Sequence, residues 1–527
     1  MRGRLANRST LFATAAVAAL AFTAFSMPAA AGPTAGFKTS QAAMLTPVAP
    51  GVTVEPILTV GETLPGSSYM FDSIPDGIAL QRHDNNRVEV FVNHETSTVP
   101  FPFTAPTPAN PVGTGFNDFT NAMLSKLTLN RETAGVLAGE YVIPSEANYQ
   151  RFCSNFVATK EHGFERPILF TNEEATDFVN RTGTAWPAGP GAEQAGVVVA
   201  YDVRTGKYRS IYGMGRHNHE NSVALEGYGH PVVLSSDDTF SAPGSQLYLY
   251  GARSAQAVLR DEGQLWAFQG SNPAVNDYGD LSGTASTSGR FIPVPREIAV
   301  GDQTPLENWS NANNVFQFIR LEDIAYDRRD KNIVYIADTG EPRAQPDPTT
   351  GRLRRGGAVP PNPMGPYPNG RIFKFVFDPK DPTKVNSLSI LIDGDSLGAA
   401  GAGDVSLIHQ PDNLETSSRT LLIQEDPGSH NQYTPGTGTT ARIWGYNLDT
   451  GVLSVVARVN QAAQPTQRWG AWESSGIVDA SETLGPGTFL VDIQAGSLIV
   501  EEEVRMEGPN RLTYQREGGQ LLVLRME

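Results

Sequence analysis

Carboxylates recur along this chain in a fixed context. An Asp, Glu or Asn stands beside small residues and an apolar alternation. A turn follows, then three to five apolar residues, then a second acidic group. Asp76-Gly77-Ile78-Ala79 leads to Val90–Glu95, Ser154-Asn155-Phe156-Val157 to Ile168–Glu174, and Glu220-Asn221-Ser222-Val223 to Val232–Asp238. Glu322-Asp323-Ile324-Ala325 leads to Val334–Glu341, Asp412-Asn413-Leu414 to Leu421–Asp426, and Glu473-Ser474-Ser475-Gly476 to Phe489–Gln494. One such copy reads as an ordinary Asx turn. Six copies with Glu-Glu, Asp-Asp and Glu-Asp neighbours read differently, because adjacent carboxylates repel unless a cation neutralises them.

Hard oxygen ligands with few nitrogens select Ca²⁺ or another hard cation. The candidate ligands are Glu95, Glu173, Glu174, Glu220, Glu322, Asp338, Asp412, Glu425, Glu473 and Asp492. His94 and His219 precede Glu95 and Glu220, and are expected as packed or orienting rings rather than ligands. Arg320 lies two residues before Glu322, on the same strand face, where a guanidinium can fork a phosphate. A plain salt bridge to a neighbouring carboxylate is the alternative.

The elements that position these groups follow from the spacing. The first acids stand 79, 65, 102, 90 and 61 residues apart, which fits a four-stranded unit plus variable insertions. Within a copy, one strand up and one antiparallel strand back return both acids to the same rim. The expected fold is all-β: a six-bladed β-propeller over residues 52–527, with irregular loop insertions at Pro100–Pro111 and Ala344–Gly370. Gly and Pro together are 90 of 527 residues, about 17% against roughly 12% in average usage, and charged residues are only 18%. That composition disfavours long helices and coiled coils and favours short strands joined by turns.

The N-terminus reads as an export signal over residues 1–31. Arg2, Arg4 and Arg8 form a positive segment, Leu11–Phe25 an apolar one, and Ala29-Ala30-Ala31 a cleavage site. No Arg-Arg pair stands in the positive segment, which favours general secretion over the twin-arginine route. Residues 32–51 read as a linker. The expected product is periplasmic or extracellular, probes no membrane with an integral segment, and is a monomer. A net charge of −16 disfavours nucleic acid and anionic membranes as partners. One cysteine, Cys153, permits no intramolecular disulfide. No phosphate-binding glycine loop, HExxH or EF-hand spacing occurs. Metal-assisted chemistry is the reading that the recurring carboxylates favour.

Asn93-His94-Glu95, Thr171-Asn172-Glu173-Glu174, Gly215-Arg216 with His219-Glu220, Arg320-Leu321-Glu322-Asp323 and Pro411-Asp412-Asn413-Leu414 together resemble the PhoX-type alkaline phosphatase family. The likeness runs from about residue 50 to the end. It implies an exported six-bladed propeller whose central site holds calcium and iron and cleaves small phosphomonoesters. It places Glu220 and Glu322 on metal-ligand positions and Arg320 on the phosphate-contacting arginine. In the Thr-x-Glu-Glu motif the family's phosphatases carry a cysteine that bridges two irons. Asn172 stands there in this chain, while Cys153 resembles a different, upstream family position. Asparagine supplies no thiolate, so Ca²⁺ is the expected cofactor and Fe³⁺ the contested one. A non-catalytic calcium-stabilised binding propeller and a phytase-like esterase are the alternatives.

Overall fold

The structure, a computed structural model, describes residues 35–104, 114–239, 244–355, 365–395, 405–427, 433–461 and 468–526. The export-signal segment and parts of both loop insertions lie outside the described residues. Strands dominate because the apolar runs are short, rich in Val, Ile, Leu and Phe, and bounded by Gly, Pro, Asn and Asp.

Six antiparallel meanders follow one another along the chain. Their inner strands are Pro75–Arg82, Phe152–Ala158, His219–Ala224, Leu321–Tyr326, Pro411–Thr416 and Trp472–Asp479. Each pairs with a second strand: Arg87–His94, Ile168–Glu173, Val232–Asp237, Ile333–Asp338, Thr420–Glu425 and Thr488–Glu507. Two further strands extend each meander outwards. In the sixth, the outermost is Val52–Thr59, which pairs with Asn510–Met526, so the start of the domain completes its last sheet. Ser286–Pro293 adds a fifth strand to the third meander and pairs with Lys384–Asp393 of the fourth, joining the two into a nine-stranded sheet.

Each inner strand touches the next, and the sixth touches the first. Packing follows the same order. Phe91, Leu124, Leu169 and Val199 share a core between meanders one and two. Phe318, Leu234, Ile336 and Phe373 do so between three and four, and Leu58, Val90, Leu490 and Val523 between six and one. A core therefore fills each interface, and the closed ring is what buries both faces of each sheet.

Part of the expected linker belongs to this framework. Leu45–Pro47 pairs with residues 457–459 of the fifth meander, and Phe37 bridges to Val136 of the first. The first insertion supplies the strands Phe101–Thr104 and Thr114–Asp118, and the second the hairpin Ala344–Pro346 with Leu353–Arg355. Among the described residues no helix is long and apolar enough to cross a membrane.

Candidate metal centre

Every inner strand carries a bulge at the same place. Two of its residues oppose one on the second strand: Asp76-Gly77 against Asn93, Cys153-Ser154 against Asn172, and Glu220-Asn221 against Ser236. The same holds for Glu322-Asp323 against Ala337, Asp412-Asn413 against Gln424, and Ser475-Gly476 against Asp492. Bulges re-aim side chains, and six of them in register build a ring from residues far apart in sequence. The bulges of adjacent meanders pack backbone to backbone. A Cβ on Gly77 would lie 2.5 Å from Ser154 Cα, and one on Gly476 would lie 2.4 Å from the Asp76 carbonyl oxygen. Only glycine fits at these two places.

The first bulge residues are Asp76, Cys153, Glu220, Glu322, Asp412 and Ser475, and they meet side by side. Ser475 Oγ donates to Asp76 Oδ1 at 2.8 Å, and Cys153 Sγ to Asp76 Oδ2 at 3.2 Å. Ser154 Oγ donates to Glu220 Oε1 at 2.8 Å, and Thr339 Oγ1 to Glu322 Oε1 at 2.6 Å. Two sets of three donor atoms lie within 4.8 Å of one another: Cys153 with Glu174 and Glu220, and Glu220 with Glu322 and Asp412. Glu220 belongs to both.

A second tier comes from the residue just beyond each second strand, including Glu95, Glu174, Asp238, Thr339 and Asp426. Gln494, at the matching place in the longer sixth strand, donates to Asp76, Glu95 and Ser475 at 3.1, 3.1 and 3.4 Å. Glu473 stands beside Asp426 and Asp412. Glu95, Glu174, Asp412 and Glu473 are half-buried, whereas Asp76, Glu220 and Glu322 are nearly inaccessible. Burial first, and neighbouring carboxylates second, push Glu95, Glu174, Glu220, Glu322, Asp412 and Glu473 well above the usual carboxylate range. Burial and the same acids also raise the Cys153 thiol. Asp412 Oδ1 has no hydrogen-bond partner among the described residues. Such a cluster holds protons until a cation replaces them, which is the behaviour of a ligand set.

Arg320 is a cation fixed in this cluster. Its Nε and one terminal nitrogen fork Asp238 at 2.9 and 2.8 Å, and it approaches Glu322 at 3.2 Å and Asp426 at 4.0 Å. The same-face geometry expected for Arg320 and Glu322 is therefore present, and Asp238 is the acid that holds the guanidinium in place.

Three expected ligands lie elsewhere. Glu173 accepts from the amides of Gln150, Gly196 and Val197 and pairs with Arg181 at 2.7 Å. Asp338 accepts from the amides of Ile319, Arg320 and Gly340. Glu425 takes the Arg442 guanidinium, Tyr433 Oη, Trp444 Nε1 and the His409 amide. The reason is the pleat: successive strand residues point to opposite faces. In Glu173-Glu174 and Glu425-Asp426 only the second acid reaches the ring, and the first ties down the loops around it. Asp492 is fully buried beside Asp76, with neither oxygen hydrogen-bonded among the described residues.

Asp76, Asp238 and Asp426 belong to the acid repeats but not to the expected ligands, and Cys153 belongs to neither; all four are members of the cluster. The repeats were framed two residues late in copy two, on Asn155 instead of Cys153, and two early in copy six, on Glu473 instead of Ser475. His94 and His219 are packed rings, bonded to Ser73 and Ser125 and to Ser235 and Gly215, and burial lowers the His94 pKa to about 4. Asn172 donates to the Ser154 carbonyl at 2.8 Å and holds the bulge that carries Cys153. Asn172→Cys is therefore expected to lose about 1 kcal/mol of stability and to bind no additional iron. Denaturant unfolding and metal analysis of that variant check both parts.

No protein-family profile and no curated protein sequence matches the chain. Among solved structures, the fold is similar to that of Pseudomonas fluorescens PhoX in complex with vanadate, a transition state analogue. The TM-score is 0.59 at 15% identity, over 94% of this chain and 98% of that one. The Streptococcus pneumoniae NanB sialidase matches at a TM-score of 0.36 and 8% identity, over 86% of this chain and 68% of that one. That second likeness is too slight to bear on this chain. The chain thus has an all-β fold similar to that of PhoX.

Proposed function

We propose that this chain is an exported, metal-dependent phosphomonoester hydrolase built on a six-bladed β-propeller. The observation that carries the proposal is the pair of ligand sets sharing Glu220, with Arg320 fixed beside them. Glu220, Glu322 and Asp412 offer oxygen alone, which suits Ca²⁺. Cys153, Glu174 and Glu220 combine a thiolate with carboxylates, which suits a transition metal such as Fe³⁺. The position of Cys153 beside Glu174 and Glu220 supports a thiol ligand in the ring despite Asn172. Glu95, Asp426 and Glu473 complete the acidic surround.

Cations bound there would supply Lewis-acid polarisation of a phosphoryl group. The protein's own part is positional. Asp238 aims the Arg320 guanidinium, whose planar fork matches phosphoryl oxygens. Gln494 and Ser475 orient Asp76 and Glu95, and the glycine-tight bulges fix the ring's spacing. The likeness to the PhoX fold supports the reading, as does that protein's complex with vanadate, a transition state analogue. A phytase-like reading would need a strongly basic mouth, and this one is acidic. Export to the periplasm or medium is the reading of residues 1–31, and a monomer acting on a small phosphorylated compound completes the proposal.

Phosphatase activity on p-nitrophenyl phosphate, lost on chelation, restored by metal and inhibited by vanadate, is the expected outcome. Metal should also stabilise the fold, by about 2.7 kcal/mol at a hundredfold excess over its dissociation constant. In chelator, stability should fall as pH rises from about 5 to 8. Burial raises Asp118 to about 8 and Asp395 to about 7, so the fold binds protons there that the unfolded chain has released. Their contribution is fully present below the unfolded value near 4 and lost as pH passes the folded values. Melting temperatures at pH 5 and 8, with chelator and with metal, check both effects.

A further inference from the structure

One cavity is walled by segments that leave the acid-bearing strands after Glu95, Glu174 and Gln494. It has a volume of about 270 Å³, and its wall includes Phe119, Trp186, Tyr514 and Arg505, with Asn121 and Asn148 among its polar groups. Its walls come from segments that the ring's closure does not require. Phe119 and Asn121 lie in the connection that begins at Glu95, and Trp186 in the connection that begins at Glu174. Asn148 lies just before the strand that carries Cys153. Arg505 and Tyr514 belong to the part of the sixth-meander hairpin that runs on beyond Gln494.

Hydrogen bonds tie this wall to Glu173, which lies off the ring next to Glu174. Asn121 donates to Asn148 at 3.0 Å, and Gln150 Nε2 donates to Asn121 at 3.2 Å. The Gln150 amide donates to Glu173, the neighbour of Glu174, and Arg181 joins Glu173 to the Asn148 carbonyl. Glu173 therefore couples the cavity wall to the ligand strand. Inside the wall, Phe119 and Tyr514 lie 6.0 Å apart, and the Arg505 guanidinium stacks 4.5 Å from Tyr514 and 5.5 Å from Phe119.

We infer that this cavity is the leaving-group subsite and that it selects phosphomonoesters of alcohols bearing a planar aromatic group. The inference rests on the phosphoesterase reading above. Aromatic faces and a stacked guanidinium bind a flat ring by area and by the ring quadrupole. The volume falls just below the roughly 300–1,000 Å³ of pockets for drug-sized ligands, so a ring-sized group fits.

Benzyl phosphate and ethyl phosphate test the subsite, since both release simple alkoxides and differ chiefly in the ring. The intact, metal-loaded protein should favour benzyl phosphate in kcat/KM by about tenfold, and Trp186→Ala and Phe119→Leu should each lower that ratio towards one. Equal turnover of the two esters by the parent protein, or equal losses on both in the variants, would overturn the inference. Should the protein cleave neither ester under any metal loading, the phosphoesterase reading fails by itself. Benzyl alcohol then tests the cavity's preference for a planar ring by itself: a saturable change in tryptophan fluorescence that disappears in Trp186→Phe supports that preference, and no saturable binding by fluorescence or calorimetry overturns it.

Discussion

Glu220→Gln is expected to abolish metal-dependent turnover while leaving the fold intact. Among the described residues Glu220 is the carboxylate shared by both ligand sets, so its loss weakens each. Losing even an outer group that supports a ligand costs roughly 10- to 100-fold in metal affinity or activity, and a shared ligand should cost more. Stability should move the other way in chelator. Glu220 is buried and repelled by Asp76 and Asp323, so a neutral amide relieves the metal-free ring. The melting temperature in chelator should hold or rise, and the rise on adding metal should shrink. A variant that still gains full stabilisation from metal would place the cation elsewhere.

Arg320→Lys is expected to lower turnover by roughly ten- to over a hundredfold, because losing a charge-assisted hydrogen bond costs about 1.5–3 kcal/mol. Lysine keeps the charge but not the planar fork. Arg320→Ala is a harsher change. The buried fork to Asp238 means that alanine strands an uncompensated carboxylate, which costs about 3–5 kcal/mol of stability. The sequence alone shows the guanidinium two residues from Glu322 but not this dependence. Metal content and turnover of the lysine variant separate the two roles: turnover should fall with metal retained.

The six hairpins are legible in outline because each copy joins an acid to an apolar run, the two halves of one antiparallel pair. The inward positions of copies two and six are not legible, because the bulge breaks the alternation of each inner strand and a polar residue two positions away, Asn155 or Glu473, stands out in place of Cys153 or Ser475. Adjacent acids hid a second fact: Glu173 and Glu174 look like one ligand pair, yet the pleat gives one to the ring and the other to Arg181. Counting alternation back from Glu174 and Asp426 would have separated these roles. Residues 32–51 lack a long apolar run, so the strand at Leu45–Pro47, completed by partners more than 400 residues away, carries little local signal.

Metal analysis of the purified mature protein, paired with a phosphomonoesterase assay on the same sample, tests the central claim most directly. The account predicts calcium together with a transition metal, the latter lost in Cys153→Ser, and turnover that vanishes on chelation and returns with metal. A protein that binds no metal at the ring, or that cleaves no phosphomonoester under any loading, would contradict it.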